Sequence, residues 1–254
     1  MNLIRTNAPD AHLSKDLRLL QETCNEYDHI SFSFPLEEEC ICCLLYENER
    51  LLSALIAFFT DSDTMECYGC TLPGERRKGH FTSLLKELVN DYPDWDFLFP
   101  VYENCRDGIK TLQAMEASFC YTEHFMERSI PVSAKSGLEK ENKERNDLTI
   151  SSHKNSDGQI CYEFFKGKEA VGMCSLDIQE KSAYLYGFEI SKPLRGQGLG
   201  TACLGLFLKT YTSLPSDQRT ETIYLQVSGD NLPAVALYKK AGFKIRESLS
   251  YYLY

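Results

Sequence analysis

Three glycines stand at alternate positions in the stretch Arg195-Gly196-Gln197-Gly198-Leu199-Gly200-Thr201. An apolar run with β-character, residues 183–190, precedes this stretch, and an apolar run with helical spacing, residues 202–211, follows it. Glycine has no Cβ, so the backbone can turn sharply there and a ligand can approach its N–H groups. The unpaired N–H groups and the dipole of a helix N-terminus favour an anion. The sequence therefore predicts a phosphate site, most readily for a diphosphate, between a strand and a helix.

The spacing of the glycines narrows the choice of ligand. It differs from the G-x-G-x-x-G of dinucleotide-binding folds, and no Lys-Ser or Lys-Thr pair follows as a nucleotide P-loop requires. The order Arg195-x-x-Gly198-x-Gly200 resembles the Arg/Gln-x-x-Gly-x-Gly/Ala signature of the GNAT superfamily of N-acetyltransferases. In that family the loop binds the pyrophosphate of acetyl-coenzyme A (acetyl-CoA). For the loop on its own, the alternative is an ordinary glycine-rich turn before a helix.

A second segment, residues 225–243, strengthens the resemblance. It resembles the second conserved GNAT segment: a strand, then Asn231, then Tyr238 on a helix, then a stop at Gly242. An asparagine suits the N-cap of such a helix, and a glycine suits its C-terminal end. The two segments occur in the right order, so the resemblance covers residues 160–254.

The resemblance implies a coenzyme-binding role for a set of residues around the glycine stretch. The loop N–H groups would hold the pyrophosphate, and the end of the preceding strand would pair with the pantetheine amides as a peptide adds to a sheet edge. Arg195 either adds positive charge near the pyrophosphate or is an ordinary surface cation. Asn231 either forms a hydrogen bond with the pantetheine arm or only caps its helix. The set is Phe188, Ile190, Arg195, Gly196, Gln197, Gly198, Leu199, Gly200, Thr201 and Asn231.

Two residues are candidates for the chemistry of acyl transfer. Tyr238 matches the family position from which a phenol gives a proton to the departing thiolate; the alternative is a core tyrosine on an amphipathic helix. Glu189, on the strand beside the implied thioester, can take a proton from the attacking ammonium through water. Glu163 and Tyr186 compete for the role of base, and an exposed salt bridge is the alternative for Glu189.

The first half of the chain repeats the order of elements of the second half. Arg76 and Gly79 precede Arg195 and Gly198 by 119 residues (195 − 76). His80-Phe81 stands where the second half has Leu-Gly, so the loop departs from the family pattern. We expect a true repeat whose first copy is degenerate; the alternative is that two α/β pieces merely share a strand–helix order.

The end of the first copy sets a second correspondence. Ala117-Ser118-Phe119 resembles Ala241-Gly242-Phe243, and this match places Ala114 at the position of Tyr238. The first copy therefore lacks the tyrosine. Residues 119–121 and 125–130 are predicted as a hairpin that closes its sheet.

These patterns predict an α/β (α+β) fold of two GNAT-like modules, each a mixed, mostly antiparallel sheet flanked by helices. The predicted domains are a degenerate module (residues 1–131), a polar, highly charged linker (132–147) and a catalytic module (148–254). In the GNAT fold two helices between the first two strands wall the acceptor site. Residues 151–159 are too few for them, so we expect an acceptor pocket that is open on that side, with the first module as its candidate cover.

The composition excludes several classes of function. The net charge of −10 argues against nucleic-acid binding and is compatible with a cationic amine substrate, although solubility alone explains it as well. The first residues lack the apolar run of a signal peptide, and the longest apolar run, residues 51–59, is too short to cross a bilayer. We therefore expect a cytoplasmic protein with no membrane partner.

The 11 cysteines are expected to be reduced and mostly buried. Cys67-x-x-Cys70 has the spacing of a metal-binding pair, but no second pair follows it, and residues three apart on a strand point to opposite faces. No metal site is predicted.

The sequence thus predicts a tandem GNAT-like enzyme. Its second module would transfer acetyl from acetyl-CoA, as co-substrate, directly to a primary amine within a ternary complex. The acceptor is a small amine or a peptide amine, and a homodimer is a possible assembly. The alternative is a non-catalytic module that binds acyl-CoA as a sensor or a partner-binding unit.

Overall fold

The computed structural model describes residues 1–36, 39–131, 147–156 and 158–254. They form two compact units: Met1–Thr122 with Leu249–Tyr254, and Glu123–Ser248. Residues 123–131, predicted to close the first module, thus lie in the second unit, while the C-terminal residues lie in the first. All but the last residue of the predicted linker lies outside the described residues, so the module boundaries stay a prediction.

The first unit is a mixed sheet with helices on both faces. Its strands run in the order β1-β2-β3-β4-β5-β12; the β4–β5 pair is parallel and the other pairs are antiparallel. Two strands, β6 and β12, each contribute residues to both units. The elements of this unit are β1 (Asn2–Thr6), α1 (Ala11–Asp28), β2 (Ile41–Glu47), β3 (Arg50–Phe59), β4 (Thr64–Thr71), α2 (His80–Asp91), β5 (Asp96–Tyr102), α3 (Arg106–Ala114), and parts of β6 (Ser118–Ser129) and β12 (Lys244–Leu253).

The second unit repeats this plan with fewer helices. Its strands run β6-β11-β10-β9-β8-β7, with a parallel β10–β11 pair and antiparallel neighbours. Its own elements are β7 (Leu148–Lys154), β8 (Ile160–Lys166), β9 (Glu169–Ile178), β10 (Ser182–Ile190), α4 (Leu199–Thr212), β11 (Thr222–Ser228) and α5 (Leu232–Lys240).

The hydrophobic cores show how each sheet is covered. In the first unit α1 packs on one face around Leu20, while α2 and α3 pack on the other around Leu84 and Leu112. In the second unit α4 and α5 both join a single core, whose largest members include Phe164 and Phe207. Among the described residues of the second unit, no helix covers the opposite face of the sheet.

The predicted fold class is confirmed, and so is the absence of room for two helices in the second unit. There β7 extends to Lys154 and β8 begins at Ile160, so only a tight connection remains between them. No described helix combines the length and the apolar character needed to cross a membrane.

The predicted hairpin of residues 119–121 and 125–130 is wrong, because residues 118–129 form the single strand β6. Residues 122–124, between the two predicted strands, do not form a turn. Their side chains have partners on β12: Thr122 Oγ1 lies 3.1 Å from Ser250 Oγ, and His124 Nδ1 lies 2.9 Å from Ser248 Oγ. These partners are more than a hundred residues away in the chain, so no local pattern could reveal them.

The C-terminal residues should stabilise the first unit, because residues 249–253 pair with β5. Tyr251 is 9% exposed and stacks on Tyr121 at a ring-centroid distance of 4.5 Å. We expect Tyr251→Ala to lower the free energy of unfolding by about 3 kcal/mol. Denaturant unfolding followed by fluorescence of Trp95, the single tryptophan, measures this in the first unit.

Tyr254→Ala is the matched control, because this side chain is 46% exposed and the backbone bonds of residue 254 to Phe97 survive the change. It should cost about 0.5 kcal/mol or less. Equal effects of the two substitutions would contradict this role of the C-terminal strand.

Candidate active site

Two neighbouring strands of the second unit separate along their length. β10 and β11 pair in parallel at residues 182–184 and 222–224, and these two described strands do not pair beyond that point. A β-bulge interrupts the pairing of β10 with β9 between Tyr186 and Glu189, where Gly187 has φ +61°. A bulge inserts one residue and bends the strand. The result is an opening between β10 and β11 that leads to the glycine loop.

Gly172 on β9 allows this bulge to form. A Cβ at Gly172 would lie 2.5 Å from the carbonyl oxygen of Glu189 and 2.7 Å from Cδ1 of Ile190. Any other residue would therefore push the bulged strand away. Gly172 is absent from the site residues predicted from the sequence; the available signal was a glycine inside a strand pattern, which often marks a bulge or a close backbone approach.

The glycine loop has the backbone that the sequence predicts. A short 3₁₀ turn, Lys192–Leu194, leads to Gly196 (φ +76°) and Gly198 (φ +73°), and α4 begins at Leu199. These left-handed angles favour glycine. Gly198 is the N-cap and supplies no side-chain hydrogen bond, so the first turn of α4 has no side-chain cap.

Arg195 links this loop to the strand before it. Its Nε donates a hydrogen bond to the carbonyl oxygen of Ile190 at 2.8 Å. This contact is structural, and neither sequence interpretation of Arg195, extra charge or a free surface cation, anticipated it. The bond fixes the end of β10 relative to the loop.

The first unit has the same loop backbone. Arg77 (φ +64°) and Gly79 (φ +81°) take the left-handed positions of Gly196 and Gly198, and α2 begins at His80. The repeat at an offset of 119 residues therefore extends to backbone geometry. The loop in the first unit differs in its side chains and not in its path.

The arginine of the first loop is engaged on all sides. Arg76 Nε donates to the carbonyl oxygen of Thr71 at 3.1 Å, as Arg195 does to Ile190 in the second unit. Its terminal nitrogens also bond the carboxylates of Asp28, at 2.9 and 2.7 Å, and Asp107, at 3.0 Å. Hydrogen bonds to these carboxylates raise the pKa of Arg76. Its charge is therefore already balanced within the protein.

A glycine and a phenylalanine exchange places between the two units. The second unit has Phe188 on the strand and Gly200 on the helix, whereas the first has Gly69 and Phe81 at the same offset. The ring of Phe81 lies against the first strand, since a Cβ at Gly69 would be 2.5 Å from its Cε2 atom. A Cβ at Gly200 would make only ordinary contacts, the nearest at 3.6 Å. The first turn of α4 therefore carries no side chain at Gly200, where α2 carries the aromatic ring of Phe81.

The last helix of each unit corrects one sequence correspondence. The C-caps of α3 and α5 are Met115 and Ala241, and each is followed by a left-handed residue, Glu116 (φ +61°) and Gly242 (φ +88°). This alignment places Leu112, which is 3% exposed, at the position of Tyr238.

The correspondence with Ala114 is thus wrong, because the resemblance around Phe119 was two residues out of register. The conclusion that the first unit lacks the tyrosine stands.

Tyr238 lies between two aromatic rings in the second unit. It is 8% exposed, and its ring centroid lies 6.3 Å from that of Phe188 and 5.8 Å from that of Phe243. Burial raises the pKa of the Tyr238 phenol from 10.0 to about 12, with a smaller contribution from Cys174. The described residues offer its hydroxyl no hydrogen-bond partner, yet the oxygen is not fully buried. The phenol is therefore neutral at physiological pH and can donate a proton.

The structure places the remaining candidates as follows. Asn231 Oδ1 accepts a hydrogen bond from the backbone N–H of Ala234 at 3.2 Å, so this residue caps α5. Glu189 is exposed, and within the described part of the chain no hydrogen bond or ion pair joins it to Tyr238. The structure therefore brings Phe188 and Tyr238 together, and exposes Glu189, the next residue after Phe188 on β10, to solvent.

The described residues contain no group of three or more His, Cys, Asp or Glu that could hold a metal ion. Cys67 and Cys70 belong to the two different cores of the first unit, on opposite faces of its sheet. Burial raises the pKa of the Cys67 thiol, which disfavours the thiolate that binds metals.

We expect Gly172→Ala to destabilise the second unit by about 1–3 kcal/mol, because the new methyl group collides with the backbone of Glu189. Urea unfolding followed by circular dichroism measures the change. Gly205→Ala in α4 is the control, since a Cβ there meets nothing within 4 Å. That change should stabilise the protein by up to about 1 kcal/mol; a neutral Gly172→Ala would show that the bulge does not depend on this glycine.

Comparison with known proteins agrees with this geometry. Residues 121–243 match the model of the acetyltransferase (GNAT) family, and no curated protein sequence matches the chain. Among solved structures, a GCN5-related N-acetyltransferase from Sphaerobacter thermophilus aligns with 99% of this chain and 95% of its own, at 13% identity and a TM-score of 0.73. A tandem GNAT protein from the clavulanic acid biosynthesis pathway aligns over 100% and 98%, at 14% identity and a TM-score of 0.63.

A GNAT-family acetyltransferase from Colwellia psychrerythraea aligns over 100% of both chains, at 12% identity and a TM-score of 0.55. At such identities these structures are similar to this chain in fold alone, whereas the family match covers nearly all of the second unit. Residues 121–243 thus form a domain of the acetyltransferase (GNAT) family, and the whole chain has the fold of a tandem GNAT protein.

Proposed function

We propose that the chain is an N-acetyltransferase that moves the acetyl group of acetyl-CoA to a primary amine, and that the second unit carries both binding and chemistry. One observation carries the proposal: the first turn of α4, which has no side-chain cap, lies at the end of a bulged strand that has separated from its neighbour. A helix N-terminus without a side-chain cap suits the pyrophosphate. The opening between β10 and β11 suits the extended pantetheine arm.

The residues of this opening would divide the binding as the family resemblance implies. The N–H groups of residues 197–201 hold the pyrophosphate, with Gly196 and Gly198 setting the path of the loop. The backbone of β10 at Phe188 and Ile190 pairs with the pantetheine amides. Asn231 positions α5 through its cap.

Tyr238 is the proposed proton donor. Attack of the amine nitrogen forms the N–C bond and breaks the C–S bond of the thioester, and the departing thiolate gains a proton. A neutral phenol with a pKa of about 12 can supply that proton and cannot act as a base at neutral pH. The Tyr238 ring packs against Phe188 and Phe243, and an unprotonated thiolate near these apolar rings would be unfavourable in free energy.

Glu189 is the proposed base, acting through water. The bulge places Glu189 on the face opposite the core, while its neighbour Ile190 is buried in that core. The amine and the thioester would therefore meet at the opening, with Glu189 on one side and Tyr238 on the other. Such a meeting allows direct transfer in a ternary complex, in which both substrates are bound at the same time. Glu163 and Tyr186 remain the competing bases.

The first unit is proposed not to bind the coenzyme, since the ring of Phe81 fills the space beside Gly69 on β4 and the loop arginine, Arg76, is already paired. We also propose a cytoplasmic location, where the free cysteines would stay reduced. The alternative function, a non-catalytic acyl-CoA sensor, would have no use for an unpaired phenol beside the opening.

We expect the wild-type protein to bind one acetyl-CoA per chain in a calorimetric titration, and Gly198→Glu to bind none. The substitution places a side chain at a left-handed position and a negative charge where the pyrophosphate is expected. Gly79→Glu is the matched control in the first unit and should leave the stoichiometry at one. Two sites in the wild type would refute the inactive first unit, and no binding would refute the proposed function.

We expect Tyr238→Phe to lower kcat about 100-fold without weakening acetyl-CoA binding, since it removes only the hydroxyl. The ratio of wild-type to variant kcat should stay constant between about pH 7 and 9, because the phenol titrates near 12. Steady-state rates of coenzyme A release test both statements. An unchanged kcat would return Tyr238 to the role of a core residue, and binding without any turnover in the wild type would favour the sensor.

A further inference from the structure

The face of the second sheet opposite α4 and α5 is rich in tyrosine. Tyr184 stacks on Tyr186, with ring centroids 5.5 Å apart, and on Tyr224 at 5.1 Å. The hydroxyl of Tyr184 donates to Oε1 of Gln226 at 3.1 Å, which fixes the middle ring. The three rings are half-buried and form a continuous aromatic surface beside the opening. No described helix of the second unit covers it.

Carboxylates share this face with the rings. Glu163 on β8 pairs with Met173 on β9, and Met173 pairs with Glu189 on β10, so the three residues form one row across three strands. Met173 is 41% exposed. Strands lie about 4.8 Å apart, so the backbones of the two glutamates are separated by about 10 Å. The row therefore alternates acid, apolar side chain and acid.

On this face of the described strands, no Lys or Arg side chain balances these acids. The residues of β7–β11 and of 123–129 that share the face include Glu123, Asp177 and His153 and, as far as the chain is described, no Lys or Arg. Glu123 lies close enough to Tyr184 to raise the pKa of its phenol, after the larger effect of burial. Among the described acids of this face, only Glu127 has a cation beside it: Arg246 of β12, at 3.9 Å. The face is thus negative and aromatic, a combination that attracts organic cations.

We propose that this face, the tyrosine–glutamate face, binds the acceptor, and that the acceptor is an aliphatic amine with at least one further cationic group. The inference rests on the proposed transfer reaction. The reacting amine lies near Glu189 on the side of the tyrosine rings, the methylene chain crosses Met173, and the distal ammonium lies near Glu163. Acidic and neutral amines lack the complementary charge, and we expect them to be poor acceptors.

Spermidine is a suitable probe of this class, with butylamine as the monoamine reference. The ratio of kcat/KM for spermidine to that for butylamine should exceed roughly 10 at low salt and fall as ionic strength rises. Glu163→Gln should lower this ratio about tenfold through loss of one charge-assisted contact. Glu169→Gln, which removes an exposed acid at the β8–β9 turn, is the matched control and should leave the ratio unchanged.

An equal fall for both amines would identify Glu163 as a general base and overturn its role in specificity. Equal use of the two amines by the wild type would overturn the proposed acceptor class and leave the acetyltransferase function intact.

A second measurement does not depend on turnover. Spermidine binding in the presence of coenzyme A should weaken about tenfold in Glu163→Gln and in Tyr184→Leu, and Tyr184→Phe should restore it, because a phenyl ring keeps a π face. Absence of binding, or binding that neither substitution weakens, would overturn the inference. If acetyl-CoA does not bind, the proposed function is wrong. Spermidine binding to the free protein then still tests whether the tyrosine–glutamate face binds an organic cation.

Discussion

The bulge in β10 is the feature on which the rest of the candidate site depends. Upstream of it, odd-numbered residues such as Leu185 face the core and Tyr184 faces outward. The extra residue reverses this alternation, so that Ile190 still enters the core while Glu189 faces outward beside the tyrosines. The pairing of β10 with β11 ends shortly before it, at Tyr184. One inserted residue thus places the opening, the candidate base and the start of the loop.

Two small contacts hold this arrangement in place. Gly172 provides the space that the bulged backbone occupies, and Arg195 bonds the carbonyl oxygen of Ile190 from the loop side. The equivalent strand of the first unit shows the difference, because β4 pairs with β3 without interruption through residues 65–71. Arg76 nevertheless makes the same contact to Thr71. The arginine therefore serves the strand–loop junction in both units, whether or not the strand is bulged.

Divergence between the two units is local and chemical. The path of the loop is shared, with left-handed φ angles at both corresponding positions. What differs is where an aromatic ring stands, Phe81 on a helix or Phe188 on a strand, and whether the last helix carries Leu112 or Tyr238. The two units thus share the backbone path of the loop, although the side chains around it differ. The second unit also differs in its helices. No described helix of that unit covers the tyrosine–glutamate face.

The sequence by itself determined the elements that rest on local physics. Alternate glycines at left-handed positions, an asparagine N-cap and the apolar periodicity of α4 and α5 are set by neighbouring residues, and the structure has each of them. Tertiary structure decided what depends on contacts distant in the chain. β6 is one continuous strand because β12 supplies hydrogen-bond partners for Thr122 and His124. The need for a glycine at position 172 is visible only from its contact with the backbone of Glu189 on β10. The pKa of Tyr238 and the row from Glu163 to Glu189 likewise arise from the packing of separate strands and helices, which no single stretch of sequence encodes.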